Sequence, residues 1–393
     1  MKRGRLRLSP AFLLVSISGL ISALICGILL LVIKCMAGAQ DTQNMAERWS
    51  YSEENRAAQV SVFFSENRGV TENEILFFEH GLDSALVEAS ITNTSTNPDS
   101  RLWIDSYSAT GTITLERGDK NVSVSAIGVG GEFFQFHPLK LVSGAYFSGN
   151  DVMQDYCVVD EEVAWQLFGS NDIAGQIITI KGVPHIITGV IERQQDRLSE
   201  AAGLKSSVVY VSYNTLVSYG RANSICCYEI VMPNPVKNFA FNYVKEELAS
   251  DEAESEIIEN TSRYGLISLL QTIGEFGTRS MNGKAIIYPY WENVARGYED
   301  ILATLLFVAL LFFLYPFVLV IVALRRAWVR RTWTSKSVYL KLKDKWERFL
   351  EKLRAKKLAK KEERRKDKEF DGLGVIKVES RKERIKKKKN GKK

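Results

Sequence analysis

Two long uncharged apolar stretches bracket this 393-residue chain, Ala11 to Ile33 and Ile301 to Leu324. Each exceeds the roughly 20 residues that an α-helix needs to cross about 30 Å of hydrocarbon. Lys2, Arg3, Arg5 and Arg7 precede the first, and Arg325, Arg326, Arg330 and Arg331 follow the second. By the positive-inside rule both flanks are cytoplasmic, and everything between the stretches lies outside. The expected division is a cytoplasmic N-terminus at 1–10, a span at 11–33, an extracytoplasmic domain at 34–300, a span at 301–324 and a basic cytoplasmic tail at 325–393. The first apolar core is longer than the roughly 7–15 residues of a signal peptide, so an uncleaved anchor is expected. The small residues of Met36-Ala37-Gly38-Ala39 are the competing sign, since they suit a cleavage site.

Charge follows the same division. Residues 34–300 carry 19 Lys/Arg against 36 Asp/Glu, whereas 301–393 carry 29 against 10. The overall +6 therefore averages an acidic outer domain and a basic inner tail. The five cysteines have no zinc-ligand spacing and form no disulfide framework. Cys226 and Cys227 are adjacent, which in a strand points them to opposite faces.

The outer region alternates β and α signals. Val60–Phe64 reads as a strand, and Thr71–Ala89 as a helix with a Thr71/Glu74 capping box. Thr112–Glu116 and Val122–Val129 flank Gly118-Asp119, a hairpin signature. Tyr156–Val159 reads as a strand, followed by a helix that Asp160 caps and Gly169 ends. Ile177–Ile180 and Val183–Ile191 form a second hairpin across Lys181-Gly182. Val208–Val211 and Ile225–Val231 read as strands, with a short helix over Ser212–Tyr219. Pro235 is placed to open a helix ending near Leu248. Met36–Arg56 and Ser255–Phe276 are expected to be helical. The fold class is α+β, with mixed sheets in two lobes.

One block carries a family pattern. It runs Gly131-Glu-Phe133-Phe, then Leu141-Val-Ser-Gly144-Ala-Tyr-Phe147, then Cys157-Val-Val-Asp160. It continues through Ala164-Trp-Gln-Leu167-Phe168-Gly169, Ile173-Ala-Gly175-Gln-Ile177 and Ile186-Ile-Thr-Gly189-Val-Ile191. This resembles the periplasmic core domain of MacB-type ABC transporter permeases, relatives of FtsX and the lipoprotein-releasing permeases. The likeness extends over roughly Ala11 to Leu324. One departure is Ala145, where the family has arginine after the glycine. Physically the motif residues are fold determinants. Leu167 and Phe168 anchor a helix on the sheet before Gly169 ends it; Gly144 allows a bend before Phe147 packs; Gly175 makes a turn; and Gly189 lies within a strand.

The resemblance implies a permease-like subunit that couples a separate ABC ATPase to an extracytoplasmic domain. Such permeases add two further spans, which do not follow Leu324 here. A further membrane permease subunit is therefore the expected second partner. The competing reading is a two-anchor binding or scaffold protein without ATP coupling.

Catalytic signals are weak. Gly277 to Lys284 imitates a phosphate loop, but five residues separate its glycines and Ala285 stands where Ser or Thr holds magnesium. His80, His137 and His185 share no metal-ligand spacing. No catalytic residue, cofactor or metal is expected. In the second span, Pro316 removes a backbone donor and is expected to kink the helix. In the tail, Leu342, Trp346, Phe349, Leu350 and Leu353 form a helical stripe among lysines. That pattern suits a basic amphipathic helix on an anionic inner leaflet. Nucleic acid is not an expected partner, because no base-reading module accompanies the charge.

Overall fold

The computed structural model describes residues 10–50, 56–91, 100–194, 197–204, 206–279, 285–330 and 342–359. The first apolar stretch is a single helix, α1 (Pro10–Gly38), followed by the short α2 (Met45–Trp49). Next come β1 (Ala57–Phe64), α3 (Glu72–Glu88), and a hairpin of β2 (Ile104–Arg117) and β3 (Lys120–Gly131). After α4 (Phe133–Phe136), β4 (Leu141–Gly144), β5 (Tyr156–Asp160) and α5 (Glu161–Phe168), a second hairpin pairs β6 (Ile177–Ile180) with β7 (Val183–Ile191). The chain continues through α6 (Arg197–Ala201), β8 (Val208–Ser212), α7 (Tyr213–Tyr219), β9 (Arg221–Pro233), α8 (Phe239–Glu247), β10 (Ser255–Glu259) and α9 (Leu266–Glu275). It then enters α10 (Tyr290–Arg330), which contains the second apolar stretch.

All ten strands join one mixed sheet, in the order β10-β1-β9-β2-β3-β8-β5-β7-β4, with β6 bridging β2 and β7. The two expected lobes are therefore two cores on one continuous sheet, and β2 belongs to both. In the first lobe α3 connects β1 to β2, and α8 connects β9 to β10. With the strand order β10-β1-β9-β2, this is a split β-α-β arrangement. Side chains alternate across a strand, so Val60, Val62 and Phe64 of β1 face α3 and α8. Gln59, Ser61 and Phe63 face the opposite way.

In the second lobe the pairings β2-β3-β8-β5-β7-β6-β2 close a ring of six strands. Its core includes Ile113, Leu115, Val124, Val159, Ile178, Ile187 and Val211, with Leu167 of α5 and Leu216 of α7 packed against them. A third core lies on the other side of the sheet. It joins Phe63, Val129, Val158 and Tyr210 to Phe133, Phe147 and Trp291. Cys227 is buried in that core, and Cys226 is partly buried against it.

Local expectations are met where short-range chemistry decides. Asp160 Oδ1 accepts from the Val163 amide at 2.8 Å, and Gly169 closes α5 in a left-handed conformation. Differences arise where a partner intervenes. Thr71 precedes α3 without a side-chain cap, and Glu74 pairs with Arg68 instead of completing a capping box. α8 begins at Phe239, after Asn238 breaks the path at φ 66°, not at Pro235. Residues 255–259, expected to be helical, pair along β1 as β10, which suits the β-branched Ile257 and Ile258. A single 3-10 turn follows at Asn260–Ser262, and α-helix resumes at Leu266. In the 36–56 segment α1 ends at Gly38 and only α2 follows; 51–55 lie outside the described residues.

The chain divides into two compact units, 1–317 and 318–393. The second unit contains the end of α10 and a helix, α11, over 342–359. Leu342, Trp346, Phe349 and Leu353 are exposed on α11, and Leu350 is half-buried.

Candidate coupling site at the root of the second span

α10 begins at Tyr290, before the apolar stretch that starts at Ile301. Its first turns therefore precede the apolar stretch and carry Trp291, Glu292, Arg296 and Glu299. The spacing 292, 296, 299 puts these charged groups on one helix face. That face meets Arg263, from the segment between β10 and α9. Arg263 donates to both Glu292 carboxylate oxygens, at 2.7 and 2.8 Å, and also pairs with Glu299. The side chains of Arg263 and Glu292 are each only 2 % exposed. Arg296 donates to Glu292 at 2.8 Å and to Glu256 of β10 at 2.6 Å. Arg279 pairs with Glu299 and with Asp300. Charges this deeply buried persist only when paired and fully hydrogen-bonded, and the bidentate Arg263–Glu292 contact supplies that geometry.

The polar chain continues into the sheet. Arg263 donates to Asn260 Oδ1 at 3.1 Å, and Asn260 donates to Ser61 Oγ at 2.7 Å. Ser61 donates to Glu229 Oε1 at 2.9 Å, and the other Glu229 oxygen meets His137 Nε2. Ser61 and Glu229 are directly opposed in the β1–β9 ladder, which puts both on the same sheet face. Beside the chain is an aromatic stack, with the His137 ring 4.6 Å from Trp291 and Phe133 edge-on to Trp291 at 5.6 Å.

The first span is anchored to the same strand. Gln59 Nε2 donates to the Thr42 carbonyl at 2.7 Å, and Gln59 Oε1 accepts from the Met45 amide at 2.9 Å. Gln59 and Ser61 share one face of β1, so a single strand holds the roots of both membrane helices. Inside the spans the helices also touch. Ser22 of α1 donates to the Phe312 carbonyl at 2.7 Å, and Ser18 meets the Tyr315 hydroxyl at 2.8 Å. Phe312 is four residues before Pro316. Its carbonyl is the one that proline leaves without an in-helix donor, and Ser22 fills that place.

The family of MacB-like periplasmic core domains matches residues 18–259, more than half of the chain. The chain belongs to that family. The macrolide export ATP-binding/permease protein MacB of Pasteurella multocida is 27 % identical over 143 residues, covering 36 % of this chain and 20 % of the relative. The MacB of Chromobacterium violaceum is 33 % identical over 100 residues, covering 25 % and 15 % respectively. The chain thus spans about a fifth or less of the length of these curated relatives. Among solved structures, the periplasmic region of MacB from Actinobacillus actinomycetemcomitans is 17 % identical, with a TM-score of 0.36, covering 57 % of this chain and 94 % of that one. The extracellular domain of the noncanonic ABC-type transporter YknZ is 16 % identical, with a TM-score of 0.33, covering 51 % and 99 %.

Most of the MacB-like motif residues fall in the six-stranded lobe and the core beside it. Ala164 and Leu167 are buried in the ring core, and Phe168 lies under the Arg117 guanidinium at 3.9 Å. Gly169 ends α5, and the Gly175 amide donates to the Ile187 carbonyl at 2.7 Å. Gly144 is at φ +79°, and a Cβ there would lie 2.1 Å from the Thr188 carbonyl oxygen. Opposite it, a Cβ on Gly189 would lie 2.6 Å from the Ala145 oxygen. The β4–β7 crossing therefore depends on two facing glycines. Phe147 packs edge-on to Phe134 at 5.4 Å. Phe133 differs from the others, because it reaches Trp291 at the foot of α10.

His80 is exposed, while His185 is buried and contacts the Val183 carbonyl at 3.0 Å. Sequence reasoning did not find Ser61, Glu229, Asn260, Arg263, Glu292 and Glu299. The available signal was the row of charges continuing the second apolar helix outward.

Away from the roots, a cavity of about 660 Å³ opens between α3 and the start of β2. Glu72, Glu79, Asp83, Asp105, Trp103 and Tyr107 contribute to its wall. Tyr107 donates to Glu72 at 2.5 Å and Trp103 to Asp83 at 2.8 Å. Burial pushes the Asp105 carboxyl well above its ordinary value of 3.8, and the neighbouring Glu79 charge adds to the effect.

Proposed function

We propose that the chain is a permease-like membrane subunit of an ABC transport or mechanotransmission complex. Its outer domain moves in response to a separate ABC ATPase, and a further membrane permease subunit completes the assembly. Both flanks of the spans are cytoplasmic, 34–300 is extracytoplasmic, and the basic tail with α11 rests on the anionic inner leaflet. The observation that carries this reading is the buried ionic root. A displacement of α10 along its axis cannot be absorbed by a flexible linker there. It passes through Arg263 and Asn260 to Ser61 on β1 and Glu229 on β9, along a contiguous bonded path. The MacB-like family membership supports the ABC assignment, and the arginine-rich flanks support the orientation.

The test is purification of the full chain from its native membranes in mild detergent. An ABC ATPase and a second permease should co-purify. Repeated recovery without any ABC ATPase would refute the coupling role and favour a two-anchor scaffold.

A further inference from the structure

α9 has three different sides. At about 100° per residue, Leu269, Thr272 and Ile273 fall on one side. Leu269 and Ile273 pack with Ile33 and Met36 of α1 and with Leu302 and Leu306 of α10. The next sector contains Leu266, Leu270 and Ile267, and all three are exposed, Ile267 at 74 % and Leu266 at 61 %. The remaining sector contains Ser268, Gln271 and Glu275. An apolar sector thus lies between a face packed on the spans and a polar face.

The packing partners fix the depth. Ile33 is the last residue of the first apolar stretch, and Leu306 lies five residues inside the second, which begins at Ile301. At 1.5 Å rise per residue the deepest of these contacts, Leu306, is about 8 Å along the helix. That is within the roughly 5–10 Å at which amphipathic helices sit below the headgroups, while Leu302 and Met36 lie at the shallow edge. At the same level Leu31 of α1 and Phe307 of α10 are also exposed, so the apolar sector of α9 continues the lipid-facing surface of the spans. The polar end of α9 points to water chemistry, since Arg279 just beyond it pairs with Glu299 and Asp300 above the hydrocarbon.

We propose that α9 is an interfacial helix, embedded through Leu266, Ile267 and Leu270 in the bilayer leaflet on the domain's side. The occupant of that face is lipid acyl chain. The domain is thereby attached to the membrane surface at a third place besides the two spans. Because Arg263 lies just before α9 and Arg279 just after it, a tilt of α9 in the leaflet pulls on the same ionic root. Lipid packing in that leaflet then becomes an input to the domain's position.

The experiment uses the full chain in phosphatidylcholine proteoliposomes, with Cys35→Ser to remove the exposed thiol. Single spin labels are introduced at Ile267→Cys, Leu270→Cys, Gln271→Cys and Glu275→Cys. Collisions with oxygen, which partitions into lipid, are compared with collisions with a water-soluble nickel chelate. Oxygen should dominate at 267 and 270, and nickel at 271 and 275. Nickel dominance at 267 would put the helix in water and overturn the proposal. Exclusion of both reagents at 267 would also overturn it. In that case dipolar broadening that disappears on dilution with unlabelled chain assigns the face to a second copy, and its absence assigns the cover to this chain. All four positions are exposed, so the variants test location and not folding. The readout does not involve an ATPase, so it stands or falls separately from the coupling role.

Discussion

Replacing Arg263 by methionine should destabilise the outer domain through a nameable set of lost contacts. Arg263 makes two charge-assisted bonds to Glu292, one pair to Glu299 and one bond to Asn260. Removing one member of a buried ionic set costs about 3–5 kcal/mol, because the partners stay charged and desolvated. Here Glu292 keeps Arg296, and Glu299 keeps Arg279. The cost should therefore fall at the low end, about 3 kcal/mol. For a domain of this size that lowers the unfolding midpoint by about 6–12 °C. Differential scanning fluorimetry of the full chain in lipid–detergent micelles measures the shift. The exposed Arg101–Glu132 pair is the control, and Arg101→Met should cost no more than about 1 kcal/mol. Joint replacement by Arg263→Met and Glu292→Leu removes one charge of each sign and should recover much of the lost stability. Under the proposed coupling role, the same double variant should still lose that coupling, since its polar path is cut. A drop of less than about 2 °C for Arg263→Met, equal to the Arg101→Met control, would refute the view of this root as a tightly bonded junction.

Other outcomes follow from individual contacts. Ser22→Ala should cost about 0.6 kcal/mol, as interhelical hydrogen bonds in bilayers do. That cost should shrink in a Pro316→Ala background, where residue 316 regains its own donor for Phe312; additive effects in a double-mutant cycle would contradict this. Asp105 favours its protonated form in the fold, so its contribution is fullest below the ordinary aspartate value of 3.8 and is lost as pH rises towards the higher folded value. Asp105→Asn should raise the unfolding midpoint at neutral pH, and the gain should fade on acidification; midpoints measured against pH for both proteins check this. Gly144→Ala should cost at least about 1–3 kcal/mol from backbone strain, before the clash with Thr188 is added. A denaturant midpoint equal to wild type would rule out the facing-glycine crossing.

Much of the ring lobe is legible in the sequence, because local chemistry specifies it. Lys181-Gly182 sets the β6–β7 turn, Asp160 and Gly169 bound α5, and Gly118 turns β2 into β3. None of these needs a distant partner. The root of the second span is not legible in the same way. Arg263, Glu292 and Glu299 resemble ordinary surface charges until the fold brings residues about thirty positions apart together. Residues 255–259 fail for a related reason, since only the β1 edge makes that segment a strand. Pro316 is visible as a missing donor, but its replacement by Ser22 comes from the other helix.

The ring of strands is spliced into the split β-α-β lobe between β2 and β9. Those two strands are hydrogen-bonded where they enter and leave it, with Gly111 opposite Ala222 and Thr112 opposite Arg221. The splice ends are therefore only one strand spacing, about 4.8 Å, apart. Such a junction is modular, because an insert with neighbouring ends leaves its host's geometry unstrained. The host lobe contains β1 and β10, and with them the Gln59 and Arg263 attachments of both membrane helices, while Phe133 and His137 of the insert add ring contacts to Trp291. Away from Phe133 and His137, the inserted cassette can then change in size or surface without rebuilding the polar attachments of the two helices.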